Sequence, residues 1–288
     1  MKKIIRNEWI LSVVQNDKTF LFALVIPFFF FGCFDMDNSL FNNDTLSSYN
    51  LRTTVIPESC RTEIVLQSQG KKIYGYFVKS NGVHPEFVVL YHHGNRDHLQ
   101  FYWDRTELFY KMGFNVFIYD YQGYGKSEGE PTESGIYSDA TAAYQFVSSK
   151  GFADSLIINY GFSLGGAPAT HVAANVFTPR VHITEAAFAS ASSLTQSGTL
   201  LDLPSSFVMN GEYNNAEKIK RVKTPVLIFH GIDDKFIDIE KNGRVLYNNA
   251  NNPKTFIAVD GAGHSDVPSK YGEQHYISKV VEFVLNKK

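Results

Sequence analysis

The chain has 288 residues, 44% of them hydrophobic and 15% aromatic, with a formal net charge of −2. That is enough apolar material for one large core, and the near balance of charge leaves neither the basic footprint of a nucleic-acid binder nor a polybasic membrane patch. Two cysteines, Cys33 and Cys60, build neither a zinc site nor a disulfide framework.

The chain opens on basic residues, Lys2, Lys3, Arg6 and Lys18, followed by an apolar run from Phe20 to Cys33. At about 14 residues the run is short for a membrane span, which needs ~20, and fits the apolar region of a signal peptide. It ends in Phe30-Phe31-Gly32-Cys33, which resembles a bacterial lipoprotein box. That resemblance implies lipidation of Cys33 and a membrane-anchored protein facing the periplasm or cell exterior; an uncleaved N-terminal anchor is the alternative. Residues 34–57, rich in Asn, Ser and Asp, read as a tether, in part laid on the domain surface. The folded domain is expected over 58–288.

Residues 61–67 (R-T-E-I-V-L-Q) and 72–78 (K-I-Y-G-Y-F-V) alternate in polarity around Ser68-Gln69-Gly70-Lys71, which predicts an antiparallel hairpin at a sheet edge. Buried strands are expected at 86–91, 115–120, 155–160, 182–188, 225–230 and 255–259. Helices are expected at about 99–112, 135–149, 167–176, 239–250 and 271–285. Strands alternating with helices imply a mostly parallel sheet covered on both faces.

In such a sheet the loops at the carboxyl ends of the strands converge on one crevice. After the strand at 155–160 comes Gly161-Phe-Ser-Leu-Gly165, a G-x-S-x-G in strand–turn–helix context. There the glycines relieve crowding around a strained turn and Ser163 projects its hydroxyl above the sheet. The Leu164 N–H lies beside it at a helix N-terminus. Asp233-Asp234 follow a later strand and His264 follows the last. A serine hydroxyl needs an imidazole to take its proton, the imidazole needs a carboxylate, and a tetrahedral intermediate needs N–H donors for its oxyanion. His92, His93, His171 and His230 are expected to be structural, and Asp238 and Asp266 solvated or capping. The His and Asp residues lie on separate loops without short ligand spacing, so no metal site is expected.

Taken together, His93-Gly94-Asn95, Asp120-Tyr-Gln-Gly-Tyr-Gly-Lys-Ser127-Glu-Gly129, Gly161-Phe-Ser-Leu-Gly165, His230-Gly-Ile-Asp-Asp234 and Gly261-Ala-Gly-His264 resemble the α/β-hydrolase superfamily. The similarity is to its serine-aminopeptidase-like group of small-lidded serine hydrolases. It implies an α/β-hydrolase fold, a triad of Ser163, Asp234 and His264, and oxyanion donors at the backbone N–H groups of Asn95 and Leu164. Asp233 remains the competing acid. No cofactor is needed by that mechanism. Gln122 stands where the family often has Arg.

Substrate choice is expected to lie in a short lid insertion at about 189–224. Leu200, Leu201, Leu203, Phe207 and Val208, with Tyr102, Trp103, Tyr124 and Phe162, are candidates to wall a pocket. The expected partner is a small-molecule or acylated substrate, presented as an ester or thioester and cleaved through an acyl-enzyme. A serine aminopeptidase or amidase is the alternative, and a non-catalytic lipoprotein binding domain a third.

Overall fold

The computed structural model describes residues 41–197 and 211–286. Cys33, Leu200, Leu201, Leu203, Phe207 and Val208 lie outside the described residues. Among the described residues no helix is long and apolar enough to cross a membrane.

An eight-stranded sheet organises the domain. Its strands are β2 (Arg61–Ser68), β3 (Lys71–Val78), β4 (Val88–His92), β6 (Asn115–Tyr119), β7 (Ile157–Phe162), β8 (Val181–Glu185), β9 (Val226–Gly231) and β10 (Lys254–Val259), in spatial order β10-β9-β8-β7-β4-β6-β3-β2. From β6 to β10 every neighbouring pair is parallel, and β3 joins β6 antiparallel. The expected hairpin β2–β3 forms the far edge. Its two-residue turn puts Gln69 at φ 50° and Gly70 at φ 75°, the left-handed pair that matches strand twist in tight hairpins.

Alternation along the central strands feeds two cores. Val89 and Tyr91 of β4 pack with Ile158, Tyr160, Ile183 and Phe229 under α1 (Trp103–Lys111) and α8 (Glu273–Leu285). Val88 and Leu90 face the opposite side, under α2 (Glu133–Ser149) and α3 (Gly166–Asn175). Leu246 of α6 (Gly243–Asn249) extends that second layer over Val226 and Ile228. After β8 come α4 (Ala191–Ser197) and α5 (Asn215–Lys218); α7 (Val267–Tyr271) leads into α8.

The folded domain reaches further toward the N-terminus than composition indicates. Residues 41–57, read as a tether, run over the loops at the carboxyl ends of β4 and β6. β1 (Asn42–Asn43) pairs in parallel with β5 (Arg96–Asp97). Phe41 and Ile56 are buried, and the Tyr49 hydroxyl donates to the buried Asp120 carboxylate. Asn, Ser and Asp are linker-like residues, but here their backbone is paired: Leu46 N–H donates to Gly125 O at 2.7 Å and Gly125 N–H to Asp44 O at 2.8 Å. A polar strap can dock on a folded surface through such bonds with few apolar anchors.

Candidate active site

Ser163 lies between β7 and α3, with φ 53°, the left-handed region that a non-glycine residue occupies only when its surroundings over-determine it. The flanking glycines show why. A Cβ on Gly161 would stand 2.4 Å from Gly165 O, and one on Gly165 would stand 2.0 Å from His92 O. No side chain fits either position, so the turn closes against β4 and lifts the serine out of the sheet.

Below it lies a buried polar relay that sequence reasoning missed. Tyr119 OH lies 2.6 Å from His92 Nδ1, His92 Nε2 2.9 Å from Asn159 Oδ1, Asn159 Nδ2 2.9 Å from His182 Nδ1, and His182 Nε2 3.2 Å from Thr170 Oγ1. The Asn159 amide sets the direction: its oxygen accepts from His92, and its nitrogen donates to His182. Each imidazole then holds one proton and has a partner at both nitrogens. Burial pushes His92 down to about 3 and His182 to about 4, keeping both neutral. These histidines support the turn and β4 without carrying charge.

The loops after β9 and β10 meet at Ser163. His264 Nε2 is 2.9 Å from Ser163 Oγ, and His264 Nδ1 is 2.8 Å from Asp234 Oδ2. Asp234 Oδ1 accepts the Phe236 and Ile237 N–H groups at 2.9 and 2.8 Å, and His230 Nε2 lies 3.5 Å from Oδ2. Burial alone would raise the Asp234 carboxyl, but the His230 imidazole close by and the hydrogen bonds from His264 and the backbone outweigh it and hold the group well below the usual carboxylate range. Asp233 is exposed, and its N–H donates to Ala262 O at 2.9 Å. The structure therefore joins Ser163, His264 and Asp234 and leaves Asp233 outside. Such a chain can pass a proton from the serine to an imidazole whose tautomer a carboxylate fixes.

Asn95 and Leu164 sit on the two loops that abut at this turn. Leu164 is in the first turn after Ser163, where backbone N–H groups lack intrahelical acceptors. Asn95 is clamped through its side chain: Oδ1 accepts from Tyr124 OH at 2.7 Å and from Asn42 N–H at 3.2 Å. The strap thus reaches the candidate oxyanion loop directly.

The pocket residues within the described chain need correction. Tyr124 is completely buried and braces Asn95, so it does not face a substrate cavity. Tyr102 and Trp103 are also buried, and Tyr102 OH accepts Arg96 N–H at 2.7 Å. Phe162 is 3% exposed and its ring lies 5.4 Å from that of His264, beneath it. Among the described residues an exposed aromatic beside the site is Phe236, 56% exposed, with its ring edge-on to His264 at 5.1 Å. Gln122 bridges the loop after β6 to α2, its amide donating to Asp139 Oδ1 at 2.9 Å and its N–H to Oδ2 at 2.8 Å. His93 Nδ1 bonds Gly94 O at 2.7 Å and Asp266 caps the His264 loop through Gly263 N–H at 2.7 Å, both structural as expected. Among the described residues no cluster of three metal-ligating side chains exists.

A serine at the turn after a central parallel strand, with a histidine and a carboxylate on the loops after the last two strands, defines the class: the chain belongs to the α/β-hydrolase superfamily. A family model described as "Serine aminopeptidase, S33" matches residues 83–200. The chain is 32% identical over 225 residues to human alpha/beta hydrolase domain-containing protein 17B, covering 75% of this chain and 72% of that protein. It is 35% identical over 188 residues to alpha/beta hydrolase domain-containing protein aho-3 of Caenorhabditis elegans, covering 63% of this chain and 53% of that protein. Among solved structures it shares its fold with an esterase of Pyrococcus furiosus, at TM-score 0.68 and 19% identity over 85% of this chain and 99% of that one.

Proposed function

We propose that the protein is a serine hydrolase that cleaves carboxylic esters or thioesters. The observation that carries this reading is the unbroken line Ser163 Oγ–His264 Nε2 at 2.9 Å and His264 Nδ1–Asp234 Oδ2 at 2.8 Å. Ser163 Oγ attacks the acyl carbon as His264 takes its proton. Asp234 holds the Nδ1–H and stabilises the imidazolium. The backbone N–H groups of Leu164 and Asn95 receive the oxyanion. Collapse expels the alcohol or thiol, protonated by His264, and leaves an acyl group on Ser163. Water, activated by the same imidazole, releases the acid.

Purified protein is expected to hydrolyse p-nitrophenyl esters and to be labelled by a fluorophosphonate. Both should be lost in Ser163→Ala, and turnover unchanged in that variant would sink the reading. An amidase is the second reading, favoured by the serine aminopeptidase family model over residues 83–200. A panel of aminoacyl amides beside esters and thioesters separates the two, where the triad, which serves an acyl-enzyme route to all three, does not. The apolar run ending at Cys33 supports a membrane-tethered protein lipidated at that residue. Metabolic palmitate labelling should vanish in Cys33→Ser, and labelling that persists there would refute it.

A further inference from the structure

One charged side chain reaches the site from below and takes no part in the chemistry described so far. Arg105, on α1, is 4% exposed. Its Nη2 donates to Glu185 Oε1 at 2.7 Å and to Ser265 O at 2.9 Å, and its Nε lies 3.2 Å from the same carboxylate oxygen. Its guanidinium carbon sits 4.1 Å from the centroid of the Phe162 ring, the ring beneath His264. Nη1 reaches the exposed Asp104 at 3.2 Å. Glu185, fully buried at the end of β8, accepts through its other oxygen from Tyr160 OH at 2.9 Å and Tyr276 OH at 2.8 Å. A single guanidinium therefore ties α1, the end of β8, the residue before Ser163 and the loop that carries His264.

We infer that Arg105 is a positioning residue for His264: it fixes the histidine loop through the Ser265 carbonyl and supports the ring on which the imidazole rests. This rests on the serine-hydrolase reading above. Two features separate the role from a stabilising ion pair. A buried pair adds little stability over apolar residues of the same size, so stability alone does not account for it. And the bond to Ser265 lies one residue from the imidazole, where a loop shift on the order of 1 Å can cost about 100-fold in rate. Glu185 makes the arrangement compatible with catalysis. The charged groups around Arg105 are Glu185 and Asp104, with the hydroxyls of Tyr91 and Tyr160 close by. With Glu185 balancing it, the guanidinium holds the loop without setting an uncompensated positive charge under the imidazolium that forms on His264.

Two variants test this with the full-length protein. Arg105→Lys keeps a cation opposite Glu185 but gives up the planar fork that reaches both Glu185 and Ser265. Arg105→Met combined with Glu185→Gln removes both charges, so no lone carboxylate is left buried to unfold the protein. Both are expected to melt cooperatively, with KM for a p-nitrophenyl ester within twofold of wild type and kcat down on the order of 10- to 100-fold. In the proton NMR spectrum, the downfield imidazole resonance from the His264–Asp234 hydrogen bond should shift or broaden. Wild-type kcat together with an unshifted resonance in either folded variant would overturn the inference. If the wild-type protein shows no Ser163-dependent hydrolysis, the functional reading fails separately, and the resonance alone decides the role of Arg105.

Discussion

At the scale of single residues, Asp234 carries the sharpest consequences. Asp234→Asn leaves a side chain of the same shape but reverses what Nδ1 of His264 meets, favouring the wrong tautomer. A loss in kcat on the order of 10⁴ is expected by steady-state kinetics, while Asp233→Asn, outside the hydrogen-bonded chain, should stay near wild type. The same carboxylate also links stability to pH. Its pKa is depressed in the folded protein, so the unfolded chain binds a proton first, near the ordinary Asp value of about 3.9. The stabilisation it provides is complete above that value and drains away as pH falls further toward the folded pKa. Chemical denaturation of wild type and Asp234→Asn should therefore show a gap that is constant from pH 7 down to about pH 4 and narrows progressively below it. A gap independent of pH would contradict the assignment. The pairing of acid and base was readable in the sequence as an ordered series of strand ends; the choice between two adjacent aspartates followed only from the family pattern. The turn after Gly231 decides it physically: Asp234 is drawn inward by the N–H groups of Phe236 and Ile237, while its neighbour faces solvent.

At the scale of elements, the turn between β7 and α3 tolerates no added atoms. In Gly165→Ala the new methyl would stand 2.0 Å from the His92 carbonyl, and β4 is fully buried and cannot retreat. Overpacking of this kind costs about 1–3 kcal/mol or more. A lowered melting temperature is expected, together with loss of fluorophosphonate labelling because Ser163 no longer holds its left-handed backbone. Labelling at the wild-type rate would show that the turn can relax. Sequence reading found this element because it is local: glycines, serine, strand and helix lie within about twenty residues. It placed the neighbouring strands for the same reason, through unbroken apolar runs.

At the scale of the whole molecule, what the sequence hid is what joins distant segments. Arg105 and Glu185 are 80 residues apart and meet only across the folded sheet. Glu185 ends β8, and nothing nearby in the chain names its partner. Tyr124 carried the right chemistry for a pocket wall, but its hydroxyl turns inward to Asn95, a direction that composition does not encode. Residues 41–57 have the polarity of a linker, and how far they dock depends on backbone groups of loops that follow much later. That strap has a mechanical meaning. Tension applied to the chain ahead of residue 41 is met first by the β1–β5 pairing and the Asn42 contact to Asn95, within the site itself. At the other end, α8 is clamped by Arg180, whose side chain bonds Val284 O at 2.9 Å beside the start of β8, at the opposite end of the strands from Ser163. A pull on the first end works directly on the candidate oxyanion loop; a pull on the second meets the Arg180 clamp at the back of the sheet before it reaches the Tyr276–Glu185 contact. Attachment to a surface or a fused partner through the C-terminal helix therefore loads the Arg180 clamp first, whereas attachment through the strap makes the geometry of the site directly sensitive to force.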